Sequence, residues 1–355
     1  MEYDIRYMKR ALQIAANGLG NTSPNPMVGA VIVNGSGIII GEGYHRRCGE
    51  GHAEVNAIAS VKDRRQLTTA TMYVTLEPCS HYGKTPPCAK LIIDSGIPRV
   101  VVGCLDPFGQ VSGRGIKMMR EAGIEVVTQV LEQECRSLNA VFMTVHSLRR
   151  PFITLKWAQS RDGFIDRKRE KNDTAARFST VLTSVLVHRL RSVHDAIIVG
   201  NNTIISDNPR LNVRLWTGRN PIKIVPDRKG NIPSTAAVFN STGETAIRLS
   251  ALRRNDLPDS IITLKPGIDI RGTLETLYSY GITSLLVEGG AILLESFLNN
   301  GLWDYSRVEI SAEDLKTAGS VKAPVIGRQP DLSEMIDGNM INHYTNNRLV
   351  QVKRL

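Results

Sequence analysis

Apolar positions along the chain follow two rhythms, one of period near 3.6 and one of period 2, that read as helices and strands in turn. Residues 3–18 set Tyr7, Ala11, Ile14 and Ala15 at helical spacing, and Asn17-Gly18 with Gly20 ends that helix. Residues 28–33 and 37–43 are β-rich and flank Asn34-Gly35, the pattern of a hairpin. A helix over 52–61, a strand over 71–76 and a helix over 88–95 follow, the last stopped by Gly96 and Pro98. Residues 99–104 form a continuous apolar run, as a strand buried on both faces does. Residues 115–122 and 132–144 read as helices, and 125–130 as extended. A new strand opens at Phe152 after Arg149-Arg150-Pro151. A helix over 178–192 and strands over 196–200, 222–225, 234–240 and 282–288 complete the pattern. Alternating strands and helices predict layered α/β structure. The 355 residues suit two domains, divided as 1–146 and 147–355.

Composition narrows the class. Hydrophobic residues make up 42% of the chain, enough for packed cores, yet no uncharged run nears the length of a membrane span. The start, Met1-Glu2-Tyr3-Asp4-Ile5-Arg6, is charged and reads as no signal peptide. Five cysteines, an odd number, fit a reducing cytoplasm better than a disulfide framework. The net charge of +10 is uneven: 15 basic against 13 acidic residues to position 146, and 29 against 21 beyond it. The basic residues stand singly or in short runs without interleaved aromatics, which favours a phosphorylated small molecule over nucleic acid.

Candidate chemistry concentrates between Gly51 and Cys88. His52-Ala53-Glu54 and Pro78-Cys79, followed by Cys88, offer one imidazole and two thiolates, a donor set that suits zinc. Three protein ligands leave a fourth position for water, as in catalytic sites. Glu54, two residues past His52, falls on the first turn of a helix, free to move protons without ligating. This is the signature of zinc nucleobase deaminases, except that eight residues separate the two cysteines where two are usual. Gly83 and Pro86-Pro87 supply turns that bring Cys88 back to the metal.

The stretch from Leu76 to Cys88 resembles the metal loop of the bifunctional riboflavin-biosynthesis deaminase–reductase family, and Thr22 to Val31, Gly43-Tyr44-His45 and Asp106-Pro107 are similar to it too. Beyond the boundary, Lys156, Ser160, Asp162 and Gly163 fit that family's Lys-x-x-x-Ser-x-Asp-Gly, and 202–214 resembles its Thr…Asp-x-Pro-x-Leu-x-x-Arg. The resemblance implies a cytidine-deaminase-like three-layer domain followed by a dihydrofolate-reductase-like α/β domain. It further implies Zn2+ and NADPH as cofactors, a phosphorylated pyrimidine as substrate, a homo-oligomer, and neither nucleic acid nor membrane as partner. By the same resemblance His52, Cys79 and Cys88 hold the metal, and Asn25, Val28 and His45 meet the pyrimidine. Lys156 and Glu288 act at the reductase centre. Gln159, Thr203, Asp207, Gly289 and Gly290 touch the dinucleotide, and Arg191, Leu211, Arg214 and Glu288 the substrate. The implied activity is deamination of 2,5-diamino-6-(5-phosphoribosylamino)pyrimidin-4-one and then reduction of its ribosyl group to ribityl. Departures from the family pattern stand at Phe108-Gly109, Ala176, Phe178 and Arg228, and residues 313–355 are less typical. Two other readings compete: a nucleoside or tRNA deaminase with a non-catalytic second domain, and a zinc-stabilised binding module closed by His45 or His81.

Overall fold

In a computed structural model, which describes residues 2–82, 86–107, 113–170, 173–240 and 244–347, the chain divides into two compact units, 1–148 and 149–355. The first unit opens with α1 (Glu2–Ala15), whose stripe of Tyr7, Met8, Ala11, Ile14 and Ala15 is buried. Strands β1 (Gly29–Val33) and β2 (Ile39–Tyr44) form the expected hairpin, and Asn34 Oδ1 holds its turn by accepting from the N–H groups of Ser36 and Ile38. There follow α2 (Ala53–Ser60), β3 (Thr71–Leu76), α3 (Cys88–Asp94), β4 (Arg99–Cys104), α4 (Arg114–Glu121) and β5 (Glu125–Val127). The sheet order is β2-β1-β3-β4-β5, antiparallel through β1 and parallel from β3 onward. Strands β3 and β4 are buried on both faces, which is why 99–104 reads as a continuous apolar run and 71–76 as β-rich.

One helix was expected over 132–144, and two occur: α5 (Glu132–Leu138) and α6 (Ala140–Leu148). The break falls at buried Asn139, whose side chain accepts from Met27 N–H at 2.8 Å and donates to Met27 C=O at 2.9 Å. An asparagine occupied in this way pins the loop before β1 instead of extending a helix.

The second unit begins with β6 (Phe152–Gln159), β7 (Phe164–Arg167), α7 (Val181–Ser192), β8 (Ala196–Ile198), α8 (Asn201–Asp207) and β9 (Ile222–Val225). Helix α7 starts later than expected, at a capping box between Thr180 and Thr183. Next come β10 (Ala246–Leu249), β11 (Ile262–Leu264), α9 (Ile270–Ser279), β12 (Ser284–Glu288), α10 (Ala291–Asn299) and β13 (Tyr305–Ile310). The atypical tail supplies β14 (Gly319–Lys322), paired with β7, and the hairpin β15 (Leu332–Ile336) and β16 (Asn339–Thr345). Among the described residues the main sheet runs β11-β10-β9-β8-β12-β6-β13-β16-β15, with β16 antiparallel to β13.

The strand expected over 234–240 is absent. Pro233, Ala236 and Phe239 make successive turns, closed by Asn240 Nδ2 donating to the carbonyls of Ser234 and Ala236. Its apolar residues Ala236, Val238 and Phe239 are buried nonetheless, packed with Ile197, Val225 and Leu286. An apolar run fills a core without pairing, and periodicity over so short a stretch does not separate the two cases.

Candidate active sites

In the first unit the metal donors come from three places. His52 caps the N-terminus of α2 in extended conformation, Cys79 follows β3, and Cys88 opens α3. Their ligand atoms all lie within 4.8 Å of one another, with His52 Nδ1 3.3 Å from Cys88 Sγ and 3.8 Å from Cys79 Sγ. The eight-residue spacer therefore does return Cys88 to Cys79, whose sulfur accepts from the Cys88 backbone N–H at 3.2 Å. Hydrogen bonds from Cys88 and His52 hold the Cys79 thiol well below its ordinary pKa, while donation to Cys79 together with burial pushes Cys88 up. The bond to Cys79 raises His52. Soft, partly ionised sulfur beside an imidazole fits a zinc ion.

Glu54 is buried beside this cluster, 3% exposed, and burial raises its carboxyl to about 7. A cavity of about 400 Å³ opens over it, lined also by Asn25, Val28, His45, His81 and Asp106. His45 Nδ1 faces the Gly51 carbonyl at 3.3 Å and so carries the proton, leaving Nε2 to accept from Asn25 Nδ2 at 3.3 Å. Burial lowers the His45 pKa, in keeping with a neutral ring. The structure thus brings together every residue expected of this half.

It also adds residues that sequence reasoning missed. Phe142 and His146, four apart on α6 with rings 4.4 Å apart, form part of the cavity wall. Their helical spacing was a signal, but one that reads as core. Glu77, between β3 and Cys79, accepts from the N–H groups of Asp106, Gly113, Gly115 and Ile116 and so ties the metal loop to the start of α4.

In the second unit Lys156 of β6 and Glu288 of β12 are register partners. Arg191 of α7 grips Glu288 with Nε and Nη2 at 2.8 and 2.7 Å, and its Nη1 donates to the Asn212 carbonyl at 3.1 Å. Burial alone would raise Glu288; Arg191 and Lys156 outweigh it and hold the carboxyl below its usual range. Burial lowers the Lys156 ammonium against the pull of Glu288 and Glu309.

Gly290, at φ +77, approaches Gly200 and Thr203 so closely that a Cβ there would meet Thr203 Oγ1 at 3.2 Å. Thr203 and the Gly289-Gly290 turn therefore share one rim. Asp207 is ion-paired with Arg169, and Gln159 accepts from Trp157 Nε1 at 2.8 Å. Buried Leu211 adopts a left-handed conformation, φ +54, and the exposed Arg214 takes the His188 ring nitrogen through its backbone N–H. A second cavity, about 350 Å³, lies against α9 and α10, lined by Ile198, Leu249, Leu274 and Phe297. Arg228 borders it and brackets the carbonyls of Gly267 and Ile268. Phe178 is buried with its carbonyl accepting from Asn339. Phe108-Gly109 lies outside the described residues.

Residues 1–104 match the cytidine and deoxycytidylate deaminase zinc-binding region, and 151–326 match the RibD C-terminal domain. The riboflavin biosynthesis protein RibD of Aquifex aeolicus is 41% identical over 314 residues, covering 85% of each chain. The chain belongs to the RibD family. RibD of Escherichia coli is 36% identical over 324 residues, again 85% of each. The crystal structure of a Thermotoga maritima diaminohydroxyphosphoribosylaminopyrimidine deaminase/5-amino-6-(5-phosphoribosylamino)uracil reductase superposes with TM-score 0.86 at 35% identity, covering 96% of this chain and 98% of that one. Acinetobacter baumannii RibD gives TM-score 0.87 at 31% identity, over 97% and 99%. The protein is accordingly a bifunctional deaminase and reductase of riboflavin biosynthesis, with a cytidine-deaminase-like first domain and a RibD-type reductase second domain. A lone nucleoside or tRNA deaminase would not carry the second match. No helix among the described residues is long and apolar enough to cross a membrane.

Proposed function

We propose that residues 1–146 deaminate 2,5-diamino-6-(5-phosphoribosylamino)pyrimidin-4-one and that 147–355 reduce the resulting aminouracil's ribosyl group to ribityl with NADPH. The observation that carries the first half is a buried carboxyl, Glu54, poised near neutrality beside three convergent donors, His52, Cys79 and Cys88. His52, Cys79 and Cys88 would hold a zinc ion, which would supply the Lewis acidity that brings a water's pKa to about 7. Glu54 takes up a proton and returns protons to the ring nitrogen and the departing ammonia, because a group titrating near the working pH both accepts and releases. Asn25, through neutral His45, and Val28 hold the ring.

In the second half NADPH supplies a hydride, and the chain's own residues orient the two partners. Lys156 within β6 and Glu288 at the end of β12 lie side by side, with Arg191 fixing the carboxylate. Gly289, Gly290 and Thr203 would form the rim for the dinucleotide, joined by Asp207 and Gln159. Leu211, Arg214 and Arg191 face the sugar phosphate. The reading includes a homo-oligomer in a reducing cytoplasm, which suits the five free cysteines.

The test follows ammonia release and NADPH absorbance together on zinc-loaded protein given the diaminopyrimidinone ribosyl phosphate. Both signals are expected in the wild type. Glu54→Gln should lose ammonia release by about 10²-fold or more while keeping its zinc. Near wild-type ammonia release from Glu54→Gln would remove Glu54 from the mechanism.

A further inference from the structure

Between α8 and β9 the chain runs from 208 to 221 without helix or strand, a length at which loops are usually functional. This loop is fastened residue by residue. Buried Leu211 takes its left-handed turn at φ +54, and the Asn212 carbonyl accepts from Arg191 Nη1 at 3.1 Å. Val213 N–H donates to Asn220 Oδ1 at 2.7 Å, and Arg214 N–H donates to His188 Nδ1 at 3.0 Å. Two of those partners, His188 and Arg191, lie three apart on α7 and so share a face. The loop returns to the same helix further on, where Arg189 lies over the Trp216 ring at 5.7 Å and a Cβ on Gly218 would meet Ser192 Cβ at 2.6 Å. Arg191 grips Glu288 with its other nitrogens, so α7 joins that carboxylate to the loop.

His188 is 4% exposed. Because Nδ1 accepts, the ring is neutral and carries its proton on Nε2. Burial, and then the charges of Arg191 and Arg214, push its pKa down to about 4, so the acceptor persists at neutral pH. The residue it holds is an exposed arginine with like charges around it. Burial, followed by the charges of Arg191, Arg210 and Arg177, lowers the Arg214 pKa, and Arg210 and Arg177 are exposed as well. Glu288, the carboxylate among them, is already gripped by Arg191. Like charges left to themselves spread apart, since each disfavours the next. A hydrogen bond to the Arg214 backbone keeps it in place without neutralising it. A carboxylate in place of His188 would fix the same N–H but would cancel the positive potential that an anion needs. The pinned stretch adds a second constraint, Arg214 Nη1 donating to Asn212 Oδ1 at 3.2 Å.

We propose that His188 is a positioning residue of the reductase: as a neutral acceptor it fixes the Arg214 backbone and so holds that guanidinium ready for the doubly charged phosphate of the sugar. The inference rests on the reading that Arg214 faces that phosphate. His188 acts through Arg214 and needs no contact of its own with the substrate. Holding the cation in place before the ligand arrives removes an ordering cost from binding, so His188 governs substrate affinity and has little effect on hydride transfer.

The experiment follows NADPH oxidation by the full zinc-loaded chain on 5-amino-6-(5-phosphoribosylamino)uracil. His188→Asn places an amide oxygen where Nδ1 stood. His188→Gln places its amide where Nε2 stood and leaves Arg214 N–H without an acceptor. His188→Gln is expected to raise the KM for the aminouracil by about tenfold, with kcat and the KM for NADPH within about twofold, and His188→Asn to recover most of the loss. His188→Ala, which favours the helix and also lacks the acceptor, carries the test should His188→Gln not fold. The same substitutions are made in the Arg214→Met background. There His188→Gln should add nothing further, because the group it positions is gone. Equal aminouracil KM values for His188→Asn and His188→Gln overturn the proposal, as does an undiminished effect of His188→Gln beside Arg214→Met. If Arg214→Met itself leaves that KM unchanged, the phosphate reading falls and the inference with it. If Arg214→Met raises the KM while the His188 substitutions do not, only the inference falls.

Discussion

Gly43 on β2 exposes the deaminase site to a single methyl group. A Cβ built there would lie 2.3 Å from Ala57 N and 2.5 Å from Ala53 O, both backbone atoms of α2. Ordinary contact begins near 3.4 Å, so Gly43→Ala requires a separation of 3.4 − 2.3, about 1.1 Å, between strand and helix. Backbone atoms do not rotate away as a side-chain tip would, so the helix itself has to move. It carries His52 as its N-cap and Glu54 in its first turn, whereas Cys79 and Cys88 sit on other elements. Metal–ligand distances tolerate about 0.2 Å, well below the displacement required. Gly43→Ala is therefore expected to weaken zinc binding by at least about tenfold and ammonia release by about 10²-fold. Overpacking should also cost the first unit about 1–3 kcal/mol. Zinc affinity is read by competition with a chromophoric chelator, ammonia by a coupled assay, and NADPH oxidation on preformed aminouracil serves as the internal control. A Gly43→Ala protein that holds zinc as tightly as wild type and deaminates within twofold of it would refute the steric reasoning.

Three further outcomes follow from the same contacts. Asn139→Ala removes both hydrogen bonds to Met27 and leaves its N–H unpaired; a loss of about 1–3 kcal/mol and a raised KM for the deaminase substrate are expected, against an unchanged melting temperature if the pin is idle. Arg191→Met leaves Glu288 buried with only Lys156 and without its ion-pair partner to oppose burial, so the carboxyl should rise and the acid limb of the reductase profile should move to higher pH. An unmoved limb would show that Glu288 does not control it. His194 donates from Nδ1 to Leu190 and accepts at Nε2 from Thr154, a neutral ring whose pKa burial lowers, and His188 is pushed down to about 4. The unfolded histidine takes a proton near 6.5 and the folded one does not, so stability falls as pH drops below that value. Each such ring contributes a slope of about 1.4 kcal/mol per pH unit. Calorimetry from pH 7 to 5 should show that fall, and His194→Gln should make it shallower.

Much of the first unit was legible because its signals are local. The strands at 71–76, β-rich, and 99–104, a continuous apolar run, have observed limits that coincide with the pattern. His52 and Glu54 lie two residues apart, and one loop carries both cysteines. What escaped were features defined by a distant partner. Asn139 breaks a helix because Met27 is in reach, Glu77 matters because four N–H groups of a later segment converge on it, and residues 234–240 are buried without pairing. The tail looked atypical because its alternation is polar on one face, yet β16 pairs along the whole of β13.

The reductase centre shows the same limit in stronger form. Lys156, Glu288 and Arg307 come from three strands, Arg191 from a helix, and no short motif joins them; only strand register does. Register also makes the arrangement vulnerable in one direction. Side chains alternate with period 2, so a slip of β13 by one residue would turn Val308 toward Lys156 and drive the Arg307 guanidinium among Leu155 and Trp157. Burying an arginine in that apolar layer is far less favourable than leaving it on the polar face beside the Glu309 carboxylate. Arg307 therefore helps to hold the register that presents Lys156.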